Sequence, residues 1–382
     1  MRKSLHSIFI VLVLGWSSIF SPAVLAAPNV TGAAGTFVHK SQITISGSGF
    51  GSKSPARPYV WAPFDGSSAP SALGIVSVWH RLQQLGYDPT CGVTGEGCLA
   101  GTASDGVNTN AWVACVTSPA EFDWNSYGQR TYVYRRSRRD FAYDSTKNVK
   151  NFRWWGMRGD GALQYPNFYF GSSNGRIGIE GTPHPYNDYT MSASNLAQAR
   201  GPVGEWYTEE MVFKSNTNTD TADADFRLMV NGGPELVSFP NTSWIENRIQ
   251  IRSDSGYSND GRMRILCAVH MVVEGSDGWI PTAAGSRYWA DDVYVDTTWA
   301  RVMVGDAPTL EGSTRREIQI PSAWSDSSIT ATVNRGSFAC ADAAYLYVVD
   351  ADGNVNANGF PVTLCGGGDT LAPAAPTNLT AQ

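Results

Sequence analysis

The chain reads as an all-β protein: a large two-sheet jelly-roll sandwich together with a smaller β-sandwich. Three observations predict this. Apolar and polar residues alternate over many short runs, the period of a strand with one buried face. Turn signals separate the runs, as at Asn174-Gly175, Asn231-Gly232 and Asn259-Asp260-Gly261. Charged residues make up only 16% of the chain while glycine alone contributes 39, a balance that suits turn-rich extracellular β-proteins.

The first residues carry an address rather than a fold. Arg2 and Lys3 precede the apolar run Ile8–Leu14, and small residues follow at Val24-Leu25-Ala26-Ala27. This is the pattern of a secretory signal covering 1–26, too short to anchor in a bilayer, with cleavage expected after Ala26. No later stretch is apolar enough to span a membrane, so the expected location is secreted or at the cell surface. About 355 residues remain, enough for roughly two domains with real cores. Loss of Arg2 and Lys3 moves the formal net charge from −6 to −8. An acidic chain of this kind argues against nucleic acid as its main partner.

All six cysteines (Cys91, Cys98, Cys115, Cys267, Cys340 and Cys365) lie beyond the signal. An even count in an oxidising compartment is read as disulfides, although six cysteines allow fifteen pairings. The favoured set is Cys91–Cys98 within one loop, Cys340–Cys365 across the last segment and Cys115–Cys267 through the middle. The absence of a CxxC pair and the scarcity of histidine argue against a metal site built on these cysteines.

The elements follow in order. Gln42–Ser46 alternates as a strand and runs into Gly47-Ser48-Gly49-Phe50-Gly51, a turn whose glycines permit positive φ. From about Tyr59 comes a long tryptophan-rich stretch. Its expected strands are Thr131–Arg136, Asn151–Trp155, Asn167–Gly171, Trp206–Lys214, Phe226–Val230, Ile249–Arg252, Met263–Val273 and Tyr288–Asp296. Ile75, Trp79, Leu82 and Leu85 fall at helical spacing, so Ala72–Leu85 is expected to be the one helix. Arg287–Asp306 then reads as two strands joined by a few polar residues. Further strands are expected at Glu317–Pro321, Trp324–Val333, Ala344–Asp350 and Gly359–Leu364.

The run Ile43-Thr44-Ile45-Ser46-Gly47-Ser48-Gly49-Phe50-Gly51 resembles the opening of an IPT/TIG domain, an immunoglobulin-like sandwich. The strands that would close such a domain do not follow it. They are found instead in Ile320-Pro321 with Trp324-Ser325-Asp326, and in Val348-Val349-Asp350 with Asp352-Gly353. The resemblance therefore implies a smaller immunoglobulin-like β-sandwich split between 28–58 and 300–366, with 59–299 inserted. Two sequential domains, with 28–58 as an extra strand, are the alternative. Within the insert, Glu205–Lys214 followed by Phe226–Gly232 resembles a hairpin pair of concanavalin A-like sandwiches related to heparin- and alginate-lyase folds. Arg287–Asp296 is similar to their last strand. Residues 367–382 read as a linker or tail and resemble the approach to a fibronectin type III module.

Candidate chemistry centres on sugar. Twelve tryptophans lie beyond the signal, and Trp154 and Trp155 sit beside Arg153. Aromatic faces stack on sugar rings, although large β-sandwiches also bury aromatics in their cores. Arg135-Arg136-Ser137-Arg138-Arg139 is unexpected in an acidic chain. On a strand Arg135 and Arg139 share one face and Arg136 and Arg138 the other, so burial of both faces is not expected. Guanidinium groups pair with carboxylates and sulfates, which makes Arg135, Arg139, Trp154 and Trp155 candidate contacts for an acidic extracellular polysaccharide. A solvated strand end pairing with Asp140 and Asp144 is the bland alternative.

Polysaccharide lyases of the resembled class need a carboxylate neutraliser, a base and an acid around one sugar. His270 could form such a set with Tyr132, Tyr134 or Arg153 across a groove, and a structural role for the histidine is the alternative. Glu205, Glu209 and Glu210 do not have the spacing of a glycosidase pair. No HExxH or phosphate loop occurs, and no organic cofactor is expected. In concanavalin A-like sandwiches a structural calcium often joins a turn like Phe64-Asp65-Gly66 to the last strand, which implies Asp65 and Asp292 as ligands. Asp220, Asp223 and Asp225 form a second acidic group. The leading expectation is non-catalytic binding of an acidic glycan. A polysaccharide lyase and a structural or adhesion module are the competing classes, and the oligomeric state is not legible.

Overall fold

The structure is a computed structural model that describes residues 26–65, 75–76, 85–102, 109–117, 130–142, 149–157, 163–164, 167–170, 176–180, 187–190, 198, 200–214, 225–233, 237–238, 263–274 and 287–365. The signal, the tail, the strand expected at Ile249–Arg252 and the acidic residues Asp220 and Asp223 lie outside these residues. In chain order the first strands are β1 (Asn29–Gly35), β2 (Gln42–Ser48), β3 (Val60–Ala62), β4 (Ile75–Val76), β5 (Leu85–Asp88) and β6 (Cys98–Thr102). Next are β7 (Thr109–Thr117), β8 (Arg130–Arg139), β9 (Val149–Met157), β10 (Leu163–Gln164), β11 (Asn167–Phe170), β12 (Arg176–Glu180) and β13 (Asn187–Thr190). After them come β14 (Tyr207–Lys214), β15 (Asp225–Val230), β16 (Val237–Ser238), β17 (Met263–Glu274) and β18 (Arg287–Asp296). The last five are β19 (Arg301–Gly305), β20 (Arg316–Trp324), β21 (Ser328–Thr332), β22 (Ala343–Val349) and β23 (Phe360–Thr363).

These strands make three antiparallel sheets. One has seven strands in the order β1-β2-β21-β20-β19-β22-β23. It joins strands from both ends of the described chain: Gln42–Ser46 of β2 pairs with Ser328–Thr332 of β21. Its alternating residues close on a shared apolar core that includes Ile43, Ile45, Phe50, Val302, Ile329, Leu346, Val348 and Phe360. In β2 the pattern is strict, with Ile43 and Ile45 buried between exposed neighbours, as one-sided burial requires.

The other two sheets form the large sandwich. The inner sheet runs β16-β15-β14-β8-β18-β6-β5, with β3 also on β18, and the outer sheet runs β13-β12-β11-β9-β17-β7-β4, with β10 on β9. Strand β17 of the outer sheet lies against β8 and β18 of the inner one. The opposite face of the inner sheet packs on the seven-stranded unit. Tyr132, Tyr134, Val212, Met229 and Tyr294 form one cluster there with Trp299, Met303, Ile318 and Tyr347. Both faces of the inner sheet are thus covered, and seven consecutive residues of β8, Thr131–Ser137, are buried.

The all-β, two-sandwich class expected from the sequence is what the structure has. Of the helix expected at Ala72–Leu85, residues 72–74 and 77–84 lie outside the described residues, and Ile75, Val76 and Leu85 are in strands. Ile75-Val76 pairs with Val116 and Cys115 of β7, and Leu85–Asp88 pairs with Cys98–Gly101 of β6. At Ile75 and Leu85 sheet pairing overrides the local helical spacing. Disulfides Cys91–Cys98 and Cys340–Cys365 are present, with Cα separations of 5.3 and 5.0 Å. Cys115 and Cys267 are placed by backbone register alone. They fall in the interval where the β7–β17 ladder shifts, between the pairs Leu266–Val116 and Val269–Ala114.

Candidate functional site

Strand β9 is the middle strand of the outer sheet, with β17 on one side and β11 on the other. Register decides which residues meet. Arg153 lies opposite Cys267 of β17 and Asn167 of β11, while Trp154 and Trp155 lie opposite Leu266 and Ile265. His270 pairs with Val113 of β7 and falls within the stretch where β17 slips its register against β9, between Cys267 and Val272. The outer sheet therefore brings Arg153 and His270 onto adjacent central strands, with Asn167 on the next. Adjacent strands are about 4.8 Å apart, so three of them span the scale of a single sugar residue. Trp154 and Trp155, being consecutive, occupy opposite faces, and Trp155 shares a face with Arg153. One ligand cannot use both tryptophans on the same face. The side chains of β7, β9 and β17 lie outside the described set, so the placement is one of backbone position.

Tyr132 is not part of this group. It stands on β8 of the inner sheet, fully buried, with its hydroxyl donating to Glu210 Oε2 at 2.9 Å. The Arg301 guanidinium lies 4.2 Å from the centre of its ring. Burial, ahead of the nearby Glu210 carboxylate, pushes its phenol well above the ordinary value. Sequence spacing could not separate β8 from β9 into different sheets, and this is why the expected set of Tyr132, Arg153 and His270 is not assembled.

The arginine run resolves into distinct roles. Arg135 is fully buried and pairs through Nε with Glu209 Oε2 at 2.6 Å, where Ser137 Oγ also donates at 2.7 Å. Arg136, equally buried, is ion-paired with Glu317 of β20 and lies 3.2 Å from Asp292 Oδ2. Burial opposes both charges, but the pull of Glu209 on Arg135 and of Glu317 on Arg136 more than offsets it and holds both pKa values above the ordinary one. Arg139 donates to the carbonyls of Phe141, Arg200 and Gly201. The expectation that both faces of this strand could not be buried is therefore wrong. Arg135 and Arg136 each have a carboxylate on their own face, and Arg139 has backbone carbonyls, which is the condition for burying such charges. Arg135 and Arg139 are held internally and do not present a ligand surface as expected.

Glu209 and Glu210 are absorbed in the same way. Glu210 takes Tyr132 on one oxygen and Arg316 Nη1 on the other at 3.3 Å. The pair expected to hold calcium is also engaged with cations and donors. Asp65 Oδ2 is 2.9 Å from Lys40 Nζ. Asp292 faces Arg136 and accepts from Asn334 Nδ2 at 3.0 Å. Among the described residues no group of three or more His, Cys, Asp and Glu could hold a metal ion. These donors fit a calcium ion poorly, since their oxygens are already turned toward positive groups.

Together the sheets define an all-β protein, a two-sheet sandwich of jelly-roll type carrying a smaller seven-stranded β-sandwich. No family model and no curated protein sequence matches the chain. Similar solved structures exist. An endo-β-1,4-glucuronan lyase from the fungus Trichoderma reesei is 14% identical, with a TM-score of 0.41 over 64% of this chain and 97% of the other. A PL-14 alginate lyase from Aplysia kurodai is 10% identical, with a TM-score of 0.43 over 62% and 97%. A cellulose-induced protein, Cip1, is 12% identical, with a TM-score of 0.39 over 63% and 97%. Superposition at this level leaves the chemistry of the chain to be read from its own residues.

Proposed function

We propose that this is an exported protein that acts on acidic, uronate-bearing polysaccharide by β-elimination at the centre of the outer sheet. The observation that carries the reading is the register that sets Arg153 beside Asn167 and puts His270 on the adjoining strand. Elimination beside a carboxylate needs that group neutralised so that the neighbouring C–H becomes acidic, and needs a base of suitable pKa. Arg153 and Asn167 are of the type that neutralises, and His270 is of the type that abstracts. The proton passes to His270 as the C–H electron pair forms the new C=C bond, the glycosidic C–O bond breaks, and the leaving oxygen takes a proton from solvent water. Tyr132 does not supply that proton in this reading, since its hydroxyl belongs to the interface with the seven-stranded unit.

Binding without turnover is the second reading, and the stacking partner it needs is Trp155, on the same strand face as Arg153. In both readings 28–58 and 300–366 form the supporting β-sandwich and 59–299 the glycan-facing one. The test is incubation with alginate, polyglucuronate and pectin, following the ultraviolet absorbance of unsaturated uronate, with affinity electrophoresis on the same polymers. The expected result is a rise in absorbance that falls about 100-fold or more in His270→Ala and Arg153→Ala. Retardation without any rise, weakened in Trp155→Ala, would replace elimination by binding. Neither signal on any acidic polymer would overturn both readings.

A further inference from the structure

Three of the four arginines between Arg135 and Arg139 have built partners: Glu209 for Arg135, Glu317 and Asp292 for Arg136, and backbone carbonyls for Arg139. Arg138 has none. It is partly buried, its Nε is sealed from solvent with no hydrogen-bond partner, and no acid among the described residues pairs with it. Among the described residues its guanidinium lies against an aromatic ring. Arg138 and Trp289 are cross-strand partners on β8 and β18, and the Arg138 guanidinium lies 5.0 Å from the indole centre. Arg287, two residues before Trp289, places its own guanidinium 4.7 Å from the same ring.

The nearby acids are occupied elsewhere. Asp88 Oδ2 is 3.0 Å from Arg287 Nη2, and Asp140 Oδ1 accepts from the Arg287 backbone N–H at 2.7 Å. Asp291 accepts from the backbone N–H groups of Val93 and Asp292. One indole thus carries two cationic groups, and a single carboxylate answers them. Stacking also fixes the plane of the Arg138 guanidinium in advance, so little side-chain freedom is lost when its outer N–H groups take a ligand.

We propose that Arg138, stacked on Trp289 beside Arg287, is an anion subsite for the carboxylate or sulfate of an acidic polysaccharide. It lies on the inner sheet, apart from Arg153 and His270 on the outer one. The proposal rests on the reading that the partner is an acidic glycan, and it adds a second point of attachment. A planar guanidinium meets a carboxylate or a sulfate with two parallel N–H donors, which a neutral glucan cannot answer.

Affinity electrophoresis of the full chain in gels containing alginate, a sulfated galactan or a neutral β-glucan tests this. Retardation by alginate alone identifies a carboxylate ligand, and by the sulfated galactan alone a sulfate ligand. Arg138→Ala is expected to weaken retardation about tenfold with only a small fall in melting temperature, since the contact with Trp289 but no internal ion pair is lost, and Arg138→Lys to restore retardation only in part. Arg153→Ala serves as the contrast: it should abolish elimination and leave the Arg138-dependent retardation in place. Wild-type retardation in Arg138→Ala, or equal retardation by the neutral glucan, overturns the subsite whatever happens at Arg153. Loss of elimination in Arg153→Ala under that same outcome would leave the proposed function standing.

Discussion

Arg135 and Arg136 are consecutive on β8 and face opposite ways, yet both are buried. Each keeps its charge because a carboxylate waits on its face, and the cost of removing one partner follows from that. Arg136→Met would strand Glu317 and Asp292 in a dry interface and should destabilise the fold by about 3–5 kcal/mol, measured by urea denaturation. A loss below 1 kcal/mol would mean that the pair is hydrated. Tyr132→Phe deletes a hydroxyl that serves Glu210, so about 1–3 kcal/mol of stability should go while any elimination activity is retained. The two assays together separate a core role from a catalytic one. Asp292 adds a pH dependence. Burial pushes its carboxyl up, Arg136 and Asn334 pull it down, Glu317 and Asp65 raise it again, and it stands at about 6 against an ordinary 3.8. A carboxyl whose folded value lies above its unfolded one contributes stability that is complete below the unfolded value and lost as pH rises through the folded one. Stability should therefore decline between the ordinary 3.8 and about 6. Asp291, also raised by burial and then by Asp292, acts in the same direction. The decline should be shallower in Asp292→Asn than in the wild type when melting temperature is followed against pH.

At the scale of the element, alternation and pairing explain what was legible. Thr131–Arg136, Trp206–Lys214 and Tyr288–Asp296 are read as strands, and the structure has β8 and β18 there with longer limits and β14 one residue shorter. Strand β7 is hard to read because Ala111–Val116 is a continuous apolar run with no alternation, even though the turn signal Asp105-Gly106 stands just before it. In Ala72–Leu85 the apolar spacing matches a helical period, yet its described residues Ile75, Val76 and Leu85 join sheets. Bulges were also hidden. The slip between Asp291 and Tyr294 puts Asp292 at a φ of 51°, toward Arg136, and no sequence period reports such a slip. Gly336, at a φ of 50°, is pressed against Glu317 and Arg136, so a side chain there would push the ion pair apart. The Cys91–Cys98 disulfide closes the loop whose Val93 N–H donates to Asp291 at 3.2 Å. Opening it with Cys91→Ser and Cys98→Ser together should cost about 2–3 kcal/mol and raise hydrogen exchange first in Leu85–Thr102. Exchange rising equally everywhere would show that the loop has no local role.

The whole molecule is held by a mixed interface between the inner sheet and the seven-stranded unit. Its apolar part is the cluster around Tyr132, Tyr294, Met303 and Tyr347. Its charged part comprises Arg136 with Glu317, Arg316 with Glu210, and Lys53, whose Nζ is 2.7 Å from Asp296 Oδ2. Trp299 Nε1 donates to the Phe213 carbonyl at 2.9 Å and ties the strand joint to β14. An interface this buried couples the unfolding of its two sides, because exposing either leaves charges unpaired on the other. Calorimetry should show one transition in the wild type. Glu317→Ala, which removes the acid shared by Arg136 and Tyr134, should lower its midpoint and split it in two; two transitions already in the wild type would refute the coupling.

Sequence alone determined the all-β class, two of the disulfides and the position of most strands, because these rest on local alternation, turn chemistry and cysteine spacing. It also singled out Arg135–Arg139 as unusual. Only the tertiary structure decided what that run does, since the carboxylates that bury Arg135 and Arg136 lie on β14, β18 and β20, far away in the chain. The same holds for the separation of Tyr132 from Arg153 and His270. Which sheet a strand joins is a matter of non-local pairing, and no residue carries that information by itself.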